Sequence, residues 1–240
     1  MKQEKHTVRT IQKMREKGEI ITMLTAYDYP TAKQVNDAGI DMILVGDSCA
    51  MVVHGHPNTL TATMDMMVLH CAAVARACSR TMVIADMPFG SFQYSVEDTM
   101  RNAARFVTEA KVDAVKFEAT PNHIEKTRAI VEMGIAVVGH VGLHPQAIGV
   151  LGGMTVQGKT IETARKVMRE ALALQEAGVF AIIFEAVPAK LSAYVTQKLK
   201  IPTISIGGGP GCSGQLLVTP DVLGMFDAFT PSFAKKYQNF

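Results

Sequence analysis

Polar, mostly acidic side chains follow several of the apolar runs in this 240-residue sequence. Asp47 comes after "MILVG", Asp86 after "MVIA" and Glu185 after "AIIF". If these runs are parallel strands, their carboxyl ends meet at one edge of a sheet and the acids lie close together. Six residues share this position, one from each of six runs: Asp28, Asp47, Asp86, Glu118, His140 and Glu185.

So many acids at one edge require a compensating charge. Like charges at short range are costly unless a cation neutralises them or some of them bind protons. Lys116 stands two residues before Glu118, so the pleat of a strand directs both side chains to the same face. The remaining excess of acid fits a hard divalent ion held by one or two carboxylates, with water and substrate completing the octahedron. The pattern therefore predicts a Mg²⁺ site.

Each of these residues also has a simpler structural interpretation. An aspartate after a strand is often a helix N-cap or a turn former, which applies to both Asp28 and Asp47. Lys116 could be a salt-bridge partner only, or a cation that binds a carboxylate. Glu185 ends an apolar run, and an apolar setting raises the pKa of a carboxyl toward values useful for a base. His140 could be a hydrogen-bonded core histidine.

The elements that position these residues alternate between apolar runs and helical patterns. Most of the runs are continuously hydrophobic, which is typical of parallel strands covered on both faces. The eight runs are residues 20–27, 41–47, 81–87, 114–119, 135–142, 180–187, 202–209 and, weakest, 222–229. Helical spacing appears between them at residues 63–78, 95–110 and 161–178.

Eight strands alternating with helices in this length predict an α/β fold, a (β/α)8 TIM barrel. We expect a single domain over residues 1–240, with residues 1–19 as an N-terminal helix that covers the barrel floor. A doubly wound open sheet is the alternative, but its G-x-G-x-x-G fingerprint is missing after the first strand. The glycine-rich segment 207–214 instead follows the seventh run, a position where barrels often bind an anion.

Composition narrows the class of function. Apolar residues make up 48% of the chain and charged residues 19%, with a net charge of +2. A sizeable core is expected, and nothing favours binding to nucleic acid or to an anionic membrane. Four cysteines without a C-x-x-C pair, and an N-terminus without the apolar run of a signal peptide, predict a cytoplasmic protein with reduced thiols. Its expected partners are small molecules.

Eight motifs occur in order between about residues 7 and 237. They are "TAYDYPTAK", "LVGDSCAMVVHGHPNTL", "IADMPFGS", "AVKFEA", "VVGHVGLHPQ", "GGMTVQGK", "FEAVP" and "ISIGGGPGCSGQLLV". Together they resemble the ketopantoate hydroxymethyltransferase family, (β/α)8 barrels of the phosphoenolpyruvate/pyruvate superfamily. The resemblance implies transfer of a hydroxymethyl group from 5,10-methylenetetrahydrofolate to 3-methyl-2-oxobutanoate, which forms 2-dehydropantoate in pantothenate biosynthesis. It also implies a homo-oligomer, typically a decamer.

The resemblance assigns roles to the residues at the strand ends. It implies one Mg²⁺ ion per subunit, held by Asp47, Asp86 and Glu118, and makes Glu185 the proton acceptor. The metal would act as a Lewis acid that stabilises the enolate formed when C3 loses its proton. The enolate would then attack the one-carbon unit of the folate. The residues expected around the oxoacid are Asp47, Ser48, Asp86, Lys116 and His140.

Two other functions remain open from the sequence. One is another Mg²⁺-dependent oxoacid lyase or mutase of the same superfamily. The lyases, however, require a cysteine in a K-K-C-G-H-type segment, and none of the four cysteines has this context. The other is a barrel that binds an oxoacid without turning it over. It is favoured only by the altered glycine-rich loop, with Ser213 in place of an aspartate, and by a C-terminal segment expected to be shorter than in the family.

Overall fold

Eight parallel strands form a closed barrel in the computed structural model, which describes residues 4–226 and 231–240 (for residue 121, the backbone only). Each strand pairs with the next along the chain, and β1 closes the barrel on β8, with Met23 opposite Leu216. The predicted (β/α)8 barrel is therefore confirmed. The strands are β1 Ile21–Thr25, β2 Met42–Val45, β3 Met82–Asp86, β4 Ala114–Lys116, β5 Ala136–Gly142, β6 Ala181–Glu185, β7 Thr203–Ile206 and β8 Gly214–Leu217.

Helices and short helical turns connect the strands. The helical patterns predicted at 63–78, 95–110 and 161–178 correspond to α4, α5 and α8, and Ser95 caps α5 by accepting the Asp98 N–H at 3.0 Å. The helices are α1 Val8–Lys17, α2 Tyr29–Asp37, α3 Cys49–Val52, α4 Met64–Ala77, α5 Val96–Thr108, α6 Ile124–Glu132, α7 Ile148–Leu151, α8 Ile161–Glu176, α9 Ala189–Lys198 and α10 Thr219–Leu223. Within the described residues, no helix has both the length and the apolarity that crossing a bilayer requires.

Helix α1 covers the floor of the barrel. Thr7 caps its start by accepting the N–H of Thr10, and Ile11 on its inner face is completely buried. Ile11 shares a hydrophobic cluster with Ile21, Met42 and Met82, the first residues of β1, β2 and β3. The predicted N-terminal helix is thus present at residues 8–17, and residues 1–3 of that prediction lie outside the described chain.

The predicted position of the eighth strand, residues 222–229, is wrong. The strand is formed earlier, at Gly214–Leu217. Residues 222 and 223 of the predicted run belong to α10, and residues 227–229 lie outside the described part. The backbones of β8 and β1 approach so closely that a Cβ at Gly214 would lie 2.3 Å from the carbonyl oxygen of Ile21. The strand that closes the barrel therefore begins at the last glycine of the glycine-rich segment 207–214.

Candidate active site

The carboxyl ends of the strands surround a cavity of about 420 Å³. The predicted site residues lie at or near the carboxyl ends of strands β2 to β6, and all of them line the cavity: Asp47, Ser48, Asp86, Lys116, Glu118, His140 and Glu185. Asp28 is the exception among the acids considered from the sequence. It is exposed and caps α2 by accepting the Thr31 N–H at 2.8 Å, so the simpler interpretation applies to it.

Three strands bring a buried ion pair and a second aspartate together. Lys116 Nζ lies 3.0 Å from Asp86 Oδ2, and the backbone N–H of Asp47 donates to the same oxygen at 3.2 Å. Burial raises the pKa of Asp86 to about 7, although the Lys116 ammonium opposes this shift. Burial alone would lower the pKa of Lys116, but the surrounding carboxylates, Asp86 first, raise it above its ordinary value. Lys116 is therefore a buried ammonium.

Gln146 is a buried partner of the cavity carboxylates that the sequence reasoning missed. Its Nε2 donates to Asp47 Oδ2 at 2.9 Å and to the carbonyl oxygen of Met87 at 3.0 Å. Its backbone N–H donates to Glu118 Oε2 at 3.1 Å. The signal available in the sequence was an amide within "HPQ" directly after the fifth strand, where an amide can serve as a donor to carboxylates.

Ser48 has a buried partner that was also missed. Its hydroxyl lies 2.9 Å from the hydroxyl of Tyr27, which follows β1. Ser48 sits two residues beyond Gly46, where a Cβ would lie 2.7 Å from the serine Oγ. The glycine after β2 thus leaves room for the Ser48 hydroxyl at the cavity wall.

The carboxylates carry oxygens that can accept a cation. Asp86 Oδ1 and Glu118 Oε1 are buried and have no hydrogen-bond donor among the described residues. Burial also raises the pKa of Asp47 and, well above its usual range, that of Glu118, with Lys116 opposing in both cases. A buried acceptor without a donor requires a cation or a proton. The donor set therefore fits a divalent metal ion.

The described residues do not form a preformed cage of protein ligands around a metal ion. In the described ranges, no group of three or more His, Cys, Asp or Glu side chains is arranged to hold a metal ion. Mg²⁺ usually keeps several waters and takes one or two protein carboxylates together with oxygens of the substrate. The three-carboxylate site stays a prediction.

Glu185 and His140 form a second group of side chains in the cavity. Glu185 Oε2 lies 3.1 Å from His140 Nε2, but neither ring nitrogen is aligned for a hydrogen bond with any described residue. Burial lowers the pKa of His140 well below its ordinary value, so the ring is neutral. Burial raises the pKa of Glu185 to about 7, with Lys116 and His144 opposing. Glu185 can therefore gain and lose a proton near neutral pH.

The outer wall of the cavity is apolar and includes the C-terminal segment. Phe233 lies against Gly207, where a Cβ would come within 2.6 Å of the phenylalanine ring. The segment returns to α10, since the N–H of Tyr237 donates to the carbonyl oxygen of Val222 at 2.8 Å. Other apolar side chains at this wall are Val52, Leu143, Met154 and Val156.

Comparison with known proteins agrees with the resemblance noted from the sequence motifs. The family model described as ketopantoate hydroxymethyltransferase matches residues 5–240. A 3-methyl-2-oxobutanoate hydroxymethyltransferase of Acetivibrio thermocellus is 53% identical over 98% of this chain and 83% of its own length. The mitochondrial 3-methyl-2-oxobutanoate hydroxymethyltransferase 1 of Oryza sativa subsp. japonica is 52% identical over 97% of this chain, which spans only 66% of that relative.

Solved structures with little sequence identity share the barrel. A phosphonopyruvate hydrolase crystallised with oxalate and Mg²⁺ is 14% identical, with a TM-score of 0.66 over 89% of this chain and 81% of its own. A putative phosphonomutase from Burkholderia cenocepacia J2315 is 12% identical, with a TM-score of 0.71 over 89% of this chain and 93% of its own. At these identities the likeness concerns the fold.

Proposed function

The chain belongs to the ketopantoate hydroxymethyltransferase family, and from this premise we propose how its barrel mouth carries out the reaction. The activity is transfer of a hydroxymethyl group to 3-methyl-2-oxobutanoate. In the proposed reaction, 5,10-methylenetetrahydrofolate supplies the carbon and water supplies the hydroxyl oxygen. The products are 2-dehydropantoate and tetrahydrofolate, as a step toward pantothenate.

The observation that carries this proposal is that two kinds of side chain line the cavity on different strands: charged groups that can bind an oxoacid and a cation, and a carboxyl that can act as a base. Strands β2 to β4 supply carboxylates and a buried ammonium, which suit an oxoacid and a divalent cation. Strand β6 supplies Glu185, a carboxyl whose pKa burial raises to about 7. Proton abstraction next to a carbonyl needs a positioned base and a means of stabilising the resulting negative charge.

The oxoacid carboxylate and the metal occupy the β2 to β4 side in this proposal. The Lys116 ammonium and the Ser48 hydroxyl donate hydrogen bonds to the substrate carboxylate, and the charged donor contributes most. A Mg²⁺ ion held by Asp47, Asp86 and Glu118 would supply Lewis acidity to the keto oxygen and so acidify the C3 proton. The raised pKa of Lys116 keeps its charge in place throughout the reaction.

Glu185 removes the C3 proton in this proposal. Near neutral pH a carboxyl with a pKa of about 7 is partly ionised, and it is a stronger base than an ordinary carboxylate. Water adds at the methylene carbon of 5,10-methylenetetrahydrofolate and both of its C–N bonds break, so that tetrahydrofolate is released from a one-carbon unit at the oxidation level of formaldehyde. The nucleophilic C3 forms a bond to that carbon, and its oxygen takes up the proton removed from C3 and becomes the hydroxyl group of 2-dehydropantoate. Neutral His140, next to Glu185, is available for a hydrogen bond to substrate or product.

The apolar outer wall is proposed to face the folate and the isopropyl group of the oxoacid. Met154, Val156 and Phe233 line this side of the cavity. Apolar contact there excludes water from the reacting carbon, and ligand sites commonly combine such a wall with a few polar groups. The expected decamer and cytoplasmic location stay predictions.

A cysteine-dependent lyase is the second candidate and is not favoured. Cys49 follows the cavity residues Asp47 and Ser48 directly, yet its side chain is buried in the core. Burial raises the pKa of the Cys49 thiol to about 12, and the Asp47 and Asp86 carboxylates add to this shift. A thiol that stays protonated is a poor nucleophile or acid–base group at neutral pH.

The proposed function is tested by product formation. Purified protein is incubated with 3-methyl-2-oxobutanoate, 5,10-methylenetetrahydrofolate and Mg²⁺, and 2-dehydropantoate is measured by mass spectrometry. We expect product only when all three are present, no more than a trace with Glu185→Gln, and full yield with Asp28→Asn. Asparagine is as good an N-cap as aspartate, so the last variant is a matched control outside the cavity. Absence of product with the unaltered protein would contradict the proposal.

A further inference from the structure

Gln146 lies in the turn that follows β5, yet its hydrogen bonds end on groups that follow three other strands. The side-chain nitrogen donates to Asp47 after β2 and to the Met87 carbonyl after β3, at 2.9 and 3.0 Å. The backbone N–H donates to Glu118, after β4, at 3.1 Å. One buried residue therefore connects the carboxyl ends of β2, β3 and β4.

The neighbours of Gln146 determine how its amide is oriented. A backbone carbonyl oxygen such as that of Met87 can only accept a hydrogen bond, so the amide nitrogen must face it. The second hydrogen of that nitrogen then points to Asp47 Oδ2, which acts as an acceptor. A rotated amide would place its oxygen against the carbonyl oxygen. Both hydrogens of the amide nitrogen are thus used.

These donors divide the carboxylate oxygens into held and free ones. Glu118 Oε2 accepts the N–H of Gln146, whereas Glu118 Oε1 is buried and finds no donor in the described part of the chain. Asp86 is divided in the same way, because Oδ2 accepts from Lys116 and from the Asp47 N–H, and Oδ1 has no donor there. A free buried oxygen beside a held one is the geometry of a carboxylate prepared to bind a cation.

We propose that Gln146 is a positioning residue that fixes Asp47 and Glu118 as ligands of the divalent ion, holding one oxygen of each. This inference rests on the proposed function, from which the cation site is taken. The side-chain amide sets the orientation of Asp47, and the backbone N–H sets that of Glu118. Changing a hydrogen-bond partner of a metal ligand typically lowers metal affinity or activity roughly 10- to 100-fold.

Gln146→Met is the variant that tests the inference most directly. Methionine keeps the length and approximate volume of glutamine, and it removes both side-chain donations but leaves the backbone N–H to Glu118 in place. Gln175→Met is the matched control, since Gln175 on α8 accepts the Lys200 N–H at 2.6 Å outside the cavity. Gln146→Asn is a second test variant, because its amide is one methylene shorter and withdraws from Asp47.

Calorimetry without substrate measures the Mg²⁺ dissociation constant, and thermal unfolding measures the melting temperature. The product assay measures kcat and the KM for Mg²⁺. We expect Mg²⁺ to bind roughly 10- to 100-fold more weakly to both Gln146 variants, and the KM for Mg²⁺ to rise similarly. At saturating Mg²⁺, kcat should return to within a few-fold of the unaltered value. The Gln175→Met variant should match the unaltered protein in Mg²⁺ affinity, and the melting temperature of each Gln146 variant shows whether it is folded at the temperature of the binding measurement.

Unchanged Mg²⁺ affinity in a folded Gln146 variant would overturn the inference, and so would a lower kcat that saturating Mg²⁺ does not restore. If the unaltered protein forms 2-dehydropantoate while Gln146→Met binds Mg²⁺ normally, this inference fails and the proposed function stands. If the unaltered protein neither binds Mg²⁺ nor forms product, both are overturned.

Discussion

Glu185 and Asp86 have the same raised pKa, about 7, but their contacts separate their roles. Asp86 accepts hydrogen bonds from the Lys116 ammonium and from the Asp47 backbone N–H, and its negative charge balances that of Lys116. Glu185 contacts only the neutral His140 ring at hydrogen-bonding distance among the described side chains, and that contact is poorly aligned. A carboxyl with few fixed partners is the one that can exchange a proton with substrate.

The pKa of Glu185 predicts the pH dependence of C3 proton removal. The base must be ionised, so the rate should rise about tenfold per pH unit below 7 and level off above it. The raised pKa shifts this rise upward from the region near pH 4.5, where an ordinary glutamate titrates. The measurement is kcat/KM for C3 exchange between pH 5 and 9. A rate that is constant across this range would contradict the role of Glu185.

The proposed metal ligands give a second prediction for single residues. Asp47→Ala and Asp86→Ala should each weaken Mg²⁺ binding by more than the roughly 100-fold expected for an outer hydrogen-bond partner. Calorimetric titration measures the affinity, and Asp28→Ala serves as the control because Asp28 is an exposed helix cap. Unchanged affinity in either cavity variant would remove that residue from the metal site.

At the scale of the elements, apolar runs predicted most strands because parallel strands in a barrel are buried on both faces. The eighth strand escaped detection since Gly214 and the exposed Gln215 interrupt its apolar pattern. The acids show a different limit. Asp28 and Asp47 both follow a strand and precede a helix, and only the fold shows that one caps α2 and the other faces the cavity.

Gln146 was not predictable in the same way. It lies in a turn that has no periodic pattern, and its carboxylate partners are 28 and 99 residues away in the chain. Sequence reasoning located the site through residues that end apolar runs. A residue that reaches these carboxylates from a turn can be identified only once the barrel is closed.

Helix α1 should contribute to the stability of the barrel through its buried residue Ile11. Ile11→Ala should lower the free energy of unfolding by roughly 2–5 kcal/mol, because it leaves a cavity beneath the barrel floor. Activity per folded molecule should be unchanged, since the floor lies at the opposite end of the strands from the site. Urea denaturation measures the difference, with Lys13→Ala on the exposed face of α1 as control. A loss below 0.5 kcal/mol (a value roughly typical of surface substitutions) would show that α1 does not stabilise the barrel.

At the scale of the whole molecule, barrel closure brings the cavity carboxylates and Lys116 together from separate strands. The polar site residues lie at the carboxyl ends of strands β2 to β6, and closure of the barrel buries several carboxylates beside one lysine. Their raised pKa values show that this burial is unfavourable for the charged forms. Burial of these carboxylates lowers the stability of the folded protein, and a bound cation offsets part of that loss.

Mg²⁺ should therefore stabilise the fold. Binding to the folded state alone contributes about 2.7 kcal/mol at a concentration of 100 Kd, which corresponds to a rise in Tm of about 5–10 °C for a chain of this size. Thermal unfolding with and without Mg²⁺ measures this, and Asp86→Ala should show no rise. An equal rise in Asp86→Ala would mean that the ion stabilises the protein from another site.

Removal of the C3 proton of the oxoacid is the step proposed for this cavity, and NMR of 3-methyl-2-oxobutanoate in D₂O detects it. With protein and Mg²⁺ present, the C3 proton signal should disappear, and Glu185→Gln should slow this exchange roughly 100- to 10,000-fold. Asp28→Asn should exchange at the rate of the unaltered protein. Equal exchange in Glu185→Gln would mean that Glu185 is not the base, and no exchange in the unaltered protein would mean that this cavity does not remove the C3 proton.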